Sequence, residues 1–346
     1  MKKISFLLTA FLLWNCSSNK TNSENSSTTE LSGKAKKYID YIQESRLKRD
    51  LYIVASDSMQ GRNTGEEGQK KAGKYLIAQY QQMGVSFPPI AKDFYQSIPA
   101  SFFKKAFGPL PLNDSENIWA FIEGTDKKEE ILVISAHYDH VGMKNGEVYN
   151  GADDDGSGTV ALVEIARAFQ KAKTDGKGPR RSIMFLHVTG EEHGLHGSRF
   201  YAQNPLYPLA NTIANINIDM IGRRAKGMES NNNYVYVIGS DRLSTDLHNI
   251  SEKANKDYIN MELDYRYNDI NEPNRFYYRS DHYNFAKNGI PAIFYFNGVH
   301  DDYHQPTDTP DKIDYPLLTK RTKLAFAVAW ELANAAERPK VDKDGK

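Results

Sequence analysis

Apolar runs typical of buried strands alternate along this chain with segments of helical periodicity, and this alternation constrains the fold most. Residues 131–136 contain a continuous Ile-Leu-Val-Ile run, as in a strand buried on both faces. Residues 156–172 carry apolar residues at helical spacing. The pattern predicts an α/β fold: a single globular domain whose mostly parallel central β-sheet is sandwiched by helices. Further strands are predicted at 117–123, 182–188, 213–218, 234–238 and 292–296.

The remaining segments complete this prediction. Residues 86–113 are expected to form an edge strand and a long surface loop, and 127–130 a solvated turn. Arg180 and Arg181 are expected at a solvated strand start. Gly84 stands where the C-terminal cap of a helix belongs. Further helices are predicted at 34–56, in the segment from Ala72 to that cap, and at 243–256, 280–287 and 317–336.

The N-terminal residues do not fit a globular fold. Lys2 and Lys3 precede an apolar run at 4–14 that is too short to span a bilayer, so 1–15 are predicted to be a signal peptide. Cys16, the single cysteine, follows in a pattern that resembles a bacterial lipoprotein cleavage box. We therefore expect a lipidated Cys16 and a Ser/Asn/Thr-rich tether at 16–32. An ordinary signal peptide cut a few residues later is the alternative.

These features predict an extracytoplasmic protein, anchored to a bacterial membrane in the periplasm or at the cell surface through the lipid on Cys16. The catalytic domain is expected at 33–340. Lys plus Arg and Asp plus Glu both number 44, so no basic surplus indicates nucleic-acid binding. With one cysteine, no disulfide can form within the chain, and the core alone must stabilise the fold. The sequence predicts no oligomeric state.

Five short polar motifs lie at or near the ends of predicted strands. Ligands in open α/β sheets bind beyond the carboxyl ends of the strands, so we expect these motifs to meet at one edge. They supply imidazoles and carboxylates, which suit a metal centre that hydrolyses its substrate. The motifs are His137-Tyr138-Asp139-His140, Asp153-Asp154-Asp155-Gly156, Glu191-Glu192, Asp219-Met220 and Tyr303-His304.

In these motifs the chain resembles the zinc-dependent aminopeptidases of the bacterial leucyl aminopeptidase and aminopeptidase Y type, which are co-catalytic dizinc exopeptidases. The resemblance covers about residues 56–311. It also includes Gly194-Leu195-His196-Gly197-Ser198, Ser280-Asp281-His282 and Asp308-Thr309. Ser280 to His282 is expected to be a structural helix start near the site.

The resemblance implies two Zn²⁺ ions per chain. Asp154 would bridge them, with His137 and Asp219 completing one site and Glu192 and His304 the other. A bridging anion is physically sensible between two dications roughly 3.5–4 Å apart.

Further roles follow from the same resemblance. Asp139 would accept the second ring proton of His137. In the family, the peptide bond that corresponds to Asp154–Asp155 is cis. Glu191 would take a proton from the attacking water and pass it to the leaving amine. Tyr303 would donate a hydrogen bond to the oxyanion.

The predicted function is that of an extracytoplasmic metallo-aminopeptidase acting on a peptide substrate. Residues 275–279 and 296–299 are candidates for its side-chain pocket. A glutaminyl-cyclase-like enzyme with one zinc is an alternative on the same fold. A non-catalytic binding lipoprotein is another, and a carboxypeptidase or amide hydrolase is a third. The number of zinc ions bound per chain separates the cyclase from the peptidase.

Overall fold

The computed structural model describes Met1 and residues 35–105 and 108–345. The predicted signal peptide, the lipidated Cys16 and the tether at 16–32 lie outside these ranges. Within the described ranges, no helix is both long enough and apolar enough to cross a membrane.

An eight-stranded sheet forms the centre of the fold. Its strands are β1 (Tyr95–Ile98), β4 (Ser115–Ile122), β5 (Lys127–His137), β8 (Arg181–Val188), β9 (Thr212–Ile218), β10 (Tyr234–Ile238), β11 (Glu262–Asp264) and β12 (Ala292–Phe296). Their spatial order is β1-β4-β8-β5-β9-β12-β10-β11. Two short hairpins pair β2 (Lys104–Lys105) with β3 (Gly108–Pro109) and β6 (Met143–Lys144) with β7 (Glu147–Val148).

The four middle strands of the sheet, β8, β5, β9 and β12, run parallel to one another. Antiparallel pairing appears only outside them: β4 with β8, β1 with β4, and β10 with β12. The prediction of a mostly parallel centre is confirmed. The carboxyl ends of β5, β8 and β9 therefore lie at the same edge of the sheet.

Helices cover both faces of this sheet. They are α1 (Glu44–Val54), α2 (Glu67–Gln82), α3 (Gly158–Thr174), α4 (His196–Gln203), α5 (Thr245–Ala254), α6 (His282–Ala286) and α7 (Tyr315–Asn334). Along β5, Leu132 and Ile134 pack in the core shared with α1, α2, α3, α5 and α7. Val133 lies between them and packs on the other face, against residues of α4 and α6. Each fully buried aliphatic side chain contributes roughly 1.5–3 kcal/mol, so these two layers hold the fold without a disulfide.

Two predictions about the strand starts are wrong. Residues 127–130 are the first part of β5 and do not form a solvated turn. Arg181 is fully buried; its Nε lies 2.6 Å from Glu130 Oε2. One terminal nitrogen of Arg181 also donates to the carbonyl oxygens of Leu332 and Ala335, at 2.9 and 2.7 Å, where α7 ends. Buried charges require such partners, and this contact was not visible in the sequence.

The predicted N-terminal helix at 34–56 is interrupted. Residues 35–39 are helical, and α1 begins only at Glu44. Between the two pieces, the backbone N–H of Gln43 donates to Glu164 Oε1 of α3 over 2.9 Å. This hydrogen bond fixes the interruption against the neighbouring helix. Because it joins residues far apart in the sequence, helical periodicity alone predicted one continuous helix. The edge strand predicted within 86–113 is confirmed as β1.

Candidate metal centre and active site

The strand ends bring the predicted site residues together. His137 is the last residue of β5, and Asp219 follows β9 directly. Glu191 and Glu192 come three and four residues after the end of β8. The loop before α3 and the loop after β12 supply the remaining predicted ligands, Asp154 and His304. The expected convergence at one edge of the sheet is present.

Asp154 lies between two groups of potential ligands. Its Oδ1 is 3.2 Å from His137 Nε2, which is also 3.5 Å from Asp219 Oδ1. Its Oδ2 is 3.0 Å from His304 Nε2, which is also 2.9 Å from Glu192 Oε2. Two ligand atoms that each bind one zinc ion at about 2.0–2.2 Å stand roughly 3.3–3.6 Å apart in a tetrahedral site. The distances around His137, 3.2 and 3.5 Å, match this range closely, whereas those around His304, 3.0 and 2.9 Å, are somewhat shorter.

Unpartnered polar atoms provide an independent test of the fit. Among the described residues, Asp154 Oδ2, Glu192 Oε1 and His304 Nε2 are buried atoms without a hydrogen-bond partner. Buried polar atoms are nearly always satisfied, and an ion is one of the few explanations when they are not. The donor set of imidazole nitrogen and carboxylate oxygen is the one that zinc takes. These residues therefore fit zinc.

The neighbours of Asp154 are held by other contacts. Asp155 Oδ1 accepts from the backbone N–H groups of Gly158 and Met220, at 2.8 and 3.0 Å. Asp153 Oδ1 accepts from the N–H of Gly222 at 2.7 Å. A carboxylate oxygen of Asp155 lies within 4.8 Å of ligand atoms of His137 and Asp219, so Asp155 is a further candidate for that group. The Asp154–Asp155 peptide bond is cis, as the resemblance implied.

The orientation of His137 corrects the role predicted for Asp139. His137 Nδ1 lies 3.1 Å from the backbone carbonyl oxygen of Asp139 but 3.8 Å from its carboxylate. The carbonyl therefore accepts the Nδ1 proton, and Nε2 faces the site, where an ion would take the place of its proton. The Asp139 carboxylate instead accepts from Thr64 Oγ1 at 2.8 Å and from the backbone N–H of Glu191 at 3.3 Å.

Glu191 lies beside the group that contains His137. Its Oε2 is 3.9 Å from His137 Nε2. Burial raises the pKa of Glu191 well above its usual value; His137 opposes this, and the nearby acids Asp219 and Asp281 add to it. For His137, burial alone would lower the pKa, but Glu191 and Asp219 outweigh burial and raise it. The electrostatic potential in the site is therefore strongly negative, which favours the binding of dications.

Asp219 is held in place by the segment that precedes α6. Ser280 Oγ donates to Asp219 Oδ2 over 2.6 Å, which leaves Oδ1 facing His137. Asp281 accepts a hydrogen bond from Ser198. Burial raises the pKa of Asp281 to about 7. This segment lies near the site and belongs to neither ligand group, as predicted.

A cleft opens beside His137, Asp154, Glu191 and Asp219. Tyr303 lies in its wall, with its ring stacked 3.9 Å from the ring of His304. Burial, Asp154 and Glu192 raise the pKa of Tyr303, so its hydroxyl stays protonated. The other side chains that line the cleft are Met220, Phe276, Arg279, Phe294, Phe296 and Val299. Four of these fall in the two ranges predicted for the pocket.

Three residues near the site had no predicted role. Arg62 is fully buried, and its guanidinium donates to four backbone carbonyl oxygens, those of Val54, Tyr138, Asn150 and Gly151, at 2.6–2.9 Å. The guanidinium thereby joins α1 to the loops that carry His137 and Asp154. Arg62 and Thr64 lie between the first two predicted helices, outside every predicted helix and strand. The third residue is His140. Its position in the first polar motif was the only feature of the sequence that indicated a place near the site.

Comparison with known proteins identifies the family. The sequence pattern of peptidase family M28 matches residues 117–329, more than half of the chain. The chain belongs to peptidase family M28. A probable leucine aminopeptidase of Arthroderma otae is 30% identical over 226 residues, which cover 63% of this chain and 58% of that protein. The match to this M28 relative thus spans little more than half of the relative's length.

Solved structures share the fold of this M28 domain. The LapA aminopeptidase of Legionella pneumophila has a TM-score of 0.65 at 24% identity, covering 96% of this chain and 81% of that chain. A zinc aminopeptidase of Bacillus subtilis has a TM-score of 0.63 at 17% identity, covering 88% and 99%. A glutaminyl cyclase of Porphyromonas gingivalis has a TM-score of 0.64 at 19% identity, covering 83% and 98%. At these identities the likeness shows the fold alone.

Proposed function

We propose that this protein is a dizinc aminopeptidase that removes N-terminal residues from peptides. The observation that carries the proposal is the position of Asp154, whose two carboxylate oxygens face separate histidine–carboxylate groups at the edge of a cleft. Membership of a peptidase family and the similarity to a probable leucine aminopeptidase support the reaction class.

In this proposal each ligand group holds one ion. His137, Asp219 and Asp154 Oδ1 would hold one, and Glu192, His304 and Asp154 Oδ2 the other. When bound, zinc ions polarise the scissile carbonyl and lower the pKa of the attacking water. Since the shared carboxylate is buried, its position is set by the fold before any ion binds.

Glu191 is the proton carrier in this proposal. A general base must reach the attacking water without being occupied as a metal ligand. Glu191 suits this role, because it lines the cleft, faces His137 and stands outside the two groups. Its carboxylate takes a proton from the water and delivers it to the nitrogen of the leaving amine. Its backbone N–H is held by Asp139, which limits the positions that the carboxylate can take.

In this proposal Tyr303 stabilises the negative charge that develops on the scissile carbonyl oxygen. It lines the cleft beside His304, and its hydroxyl remains a donor because its pKa is raised. Donors fixed in a site of low solvent access stabilise an oxyanion more than water does.

The cleft favours a substrate with an apolar first residue. Five apolar side chains line it, and the carboxyl groups of Glu191 and Asp219 line the same cleft. A free α-amino group is a cation and is attracted to these carboxylates, whereas a blocked N-terminus is not. The combination supports exopeptidase action on residues such as leucine or phenylalanine.

We further propose that the protein acts outside the cytoplasm, anchored by a lipid on Cys16. The support is the N-terminal pattern alone: a short positive region, an apolar run and a cysteine followed by a polar tether. Metabolic labelling with a radioactive fatty acid tests it. Label is expected in the full chain and absent from Cys16→Ser; unlabelled full chain would refute the anchor.

A panel of leucyl and phenylalanyl reporter substrates, each with a free and an N-acetylated amine, tests the enzymatic proposal. Hydrolysis of the free-amine forms only, abolished by a chelator and restored by zinc, is the expected result. Cleavage of blocked peptides would contradict the exopeptidase assignment. A peptide with N-terminal glutamine belongs in the same panel, since cyclisation without hydrolysis of the reporters would favour the single-zinc cyclase.

A further inference from the structure

His140 lies directly against the second ligand group and has no role in the function proposed above. Its Nδ1 is 2.7 Å from Glu192 Oε1 and 3.8 Å from Asp154 Oδ2. We propose that His140 is an additional metal ligand in the site formed by Asp154, Glu192 and His304. This inference rests on the proposed two-metal function and extends it.

The contacts of the His140 ring are those of a ligand rather than of a structural histidine. The ring is completely buried, and neither of its nitrogens has a hydrogen-bond partner among the described residues. The short contact with Glu192 Oε1 does not have hydrogen-bond geometry, and that oxygen is unpartnered too. A buried imidazole next to a carboxylate normally shares a proton with it. His140 Nδ1 and Glu192 Oε1 approach each other without forming a hydrogen bond, and this arrangement suits two ligands of the same cation.

The ring is held in this position by the surrounding backbone. The N–H of His140 donates to the carbonyl oxygen of Arg62 at 3.2 Å. Gly151, at φ +55°, packs against the opposite side, where a Cβ atom would come within 2.4 Å of His140 Cγ. Only a glycine leaves room for the imidazole there. The ring also meets that of His304 edge to face, with centroids 5.7 Å apart.

A fourth ligand residue makes the two metal sites unequal. The site with His137 and Asp219 offers one imidazole, whereas the site with Glu192 offers two, from His140 and His304. Imidazole suits zinc and other late transition metals, while magnesium and manganese prefer oxygen ligands. The site with His140 is therefore the tighter and more zinc-selective of the two, and it fills first.

Metal titration of the full-length protein tests the assignment without reference to activity. The metal-free protein is titrated with zinc against a chromophoric chelator, for the wild type and for His140→Ala. Removing a residue that only supports a ligand weakens metal binding about 10–100-fold. Loss of a ligand is expected to exceed about 100-fold for one ion and to leave the other ion unchanged. His248→Ala, a half-buried histidine on α5 that contacts Ser240, is the matched control and should titrate like the wild type.

A second variant detects coordination directly. In His140→Cys loaded with cobalt, a thiolate bound to the ion produces a charge-transfer absorption that the wild type lacks, since thiolates are good ligands for such metals. Appearance of this band confirms the position of residue 140 at the metal. If His140→Ala still binds two ions as the wild type does, and His140→Cys shows no band, His140 is not a ligand. That result would overturn this inference but leave the proposed two-metal function intact. A wild type that binds fewer than two ions contradicts the proposed function instead.

Discussion

Glu191 and Glu192 are neighbours in the chain, but their carboxylates face different imidazoles. Glu191 Oε2 lies 3.9 Å from His137 Nε2, whereas Glu192 Oε2 lies 2.9 Å from His304 Nε2. In the turn after β8, Glu191 therefore faces the cleft, and Glu192 belongs to a ligand group. This division underlies the proposal that Glu191 transfers the proton and Glu192 binds metal.

Glu191→Gln is expected to separate catalysis from metal binding. The amide has nearly the shape of the acid but cannot accept the proton, so kcat should fall by about 10²–10⁴-fold. Both zinc ions should remain bound. Glu192→Gln, the matched neighbour, should instead lose one ion. Steady-state kinetics with metal analysis of both variants checks this, and normal turnover by Glu191→Gln would disprove the assignment of the base.

Tyr303→Phe removes one hydroxyl and leaves the ring stacked on His304. If the hydroxyl stabilises the oxyanion, kcat should drop about 100-fold or more, because the interaction forms only in the transition state. KM and the metal content should change little. An unaltered kcat would show that Tyr303 only packs against its neighbour.

Val299→Phe should narrow the cleft and alter its preference for the first residue. Val299 is partly exposed and lines the cleft, so a larger ring there takes space from the substrate side chain. We expect kcat/KM for phenylalanyl substrates to fall at least about 10-fold, with a smaller loss for alanyl substrates. Equal losses of kcat/KM for phenylalanyl and alanyl substrates would show that the substrate side chain does not bind next to Val299.

Arg62→Lys should destabilise the protein although the charge is kept. An ammonium group cannot donate in the planar fork that now reaches four carbonyl oxygens. The expected loss in free energy of unfolding is about 2–5 kcal/mol. Arg180→Lys, which alters an exposed pair with Asp126, should cost less than about 1 kcal/mol. Urea unfolding of both variants measures the difference, and equal midpoints would refute the role of Arg62.

His187 predicts a pH dependence of stability. Burial lowers its pKa to about 3, and its Nε2 lies 2.7 Å from the hydroxyl of Tyr80. Since the unfolded value is higher, about 6.5, unfolding takes up a proton between these limits. The stabilisation is full above about pH 6.5 and is lost as the pH falls towards 3, at about 1.4 kcal/mol per unit.

Substitution of this residue isolates its share of the acid sensitivity. Between pH 7 and pH 5, the metal-free wild type should lose about 2 kcal/mol more than His187→Gln. Glutamine can keep a hydrogen bond to Tyr80 but does not titrate. Urea unfolding at both pH values gives the comparison, and parallel losses in the two proteins would contradict a neutral buried His187.

The parts of the fold that could be predicted have a local signal. The apolar run at 131–136 marks a buried strand, and the histidine that follows it therefore had to lie at a carboxyl end. The same reasoning placed Asp219 and the two glutamates at that edge. Periodicity and strand direction sufficed here, because each depends only on neighbouring residues.

Other features depend on contacts between distant residues and left no local trace. The charges at 127–130 resemble a turn, but Glu130 is paired with Arg181 on the neighbouring strand. Likewise, the carbonyl rather than the carboxylate of Asp139 meets His137, since Thr64 and the N–H of Glu191 occupy that carboxylate. Such competition between partners becomes visible only in three dimensions.

Anomalous diffraction at the zinc edge from crystals of the zinc-loaded protein tests the two-metal proposal most directly. The proposal predicts two peaks on either side of Asp154, one beside His137 and Asp219 and the other beside Glu192 and His304. A single peak, or peaks away from the Asp154 carboxylate, would contradict it.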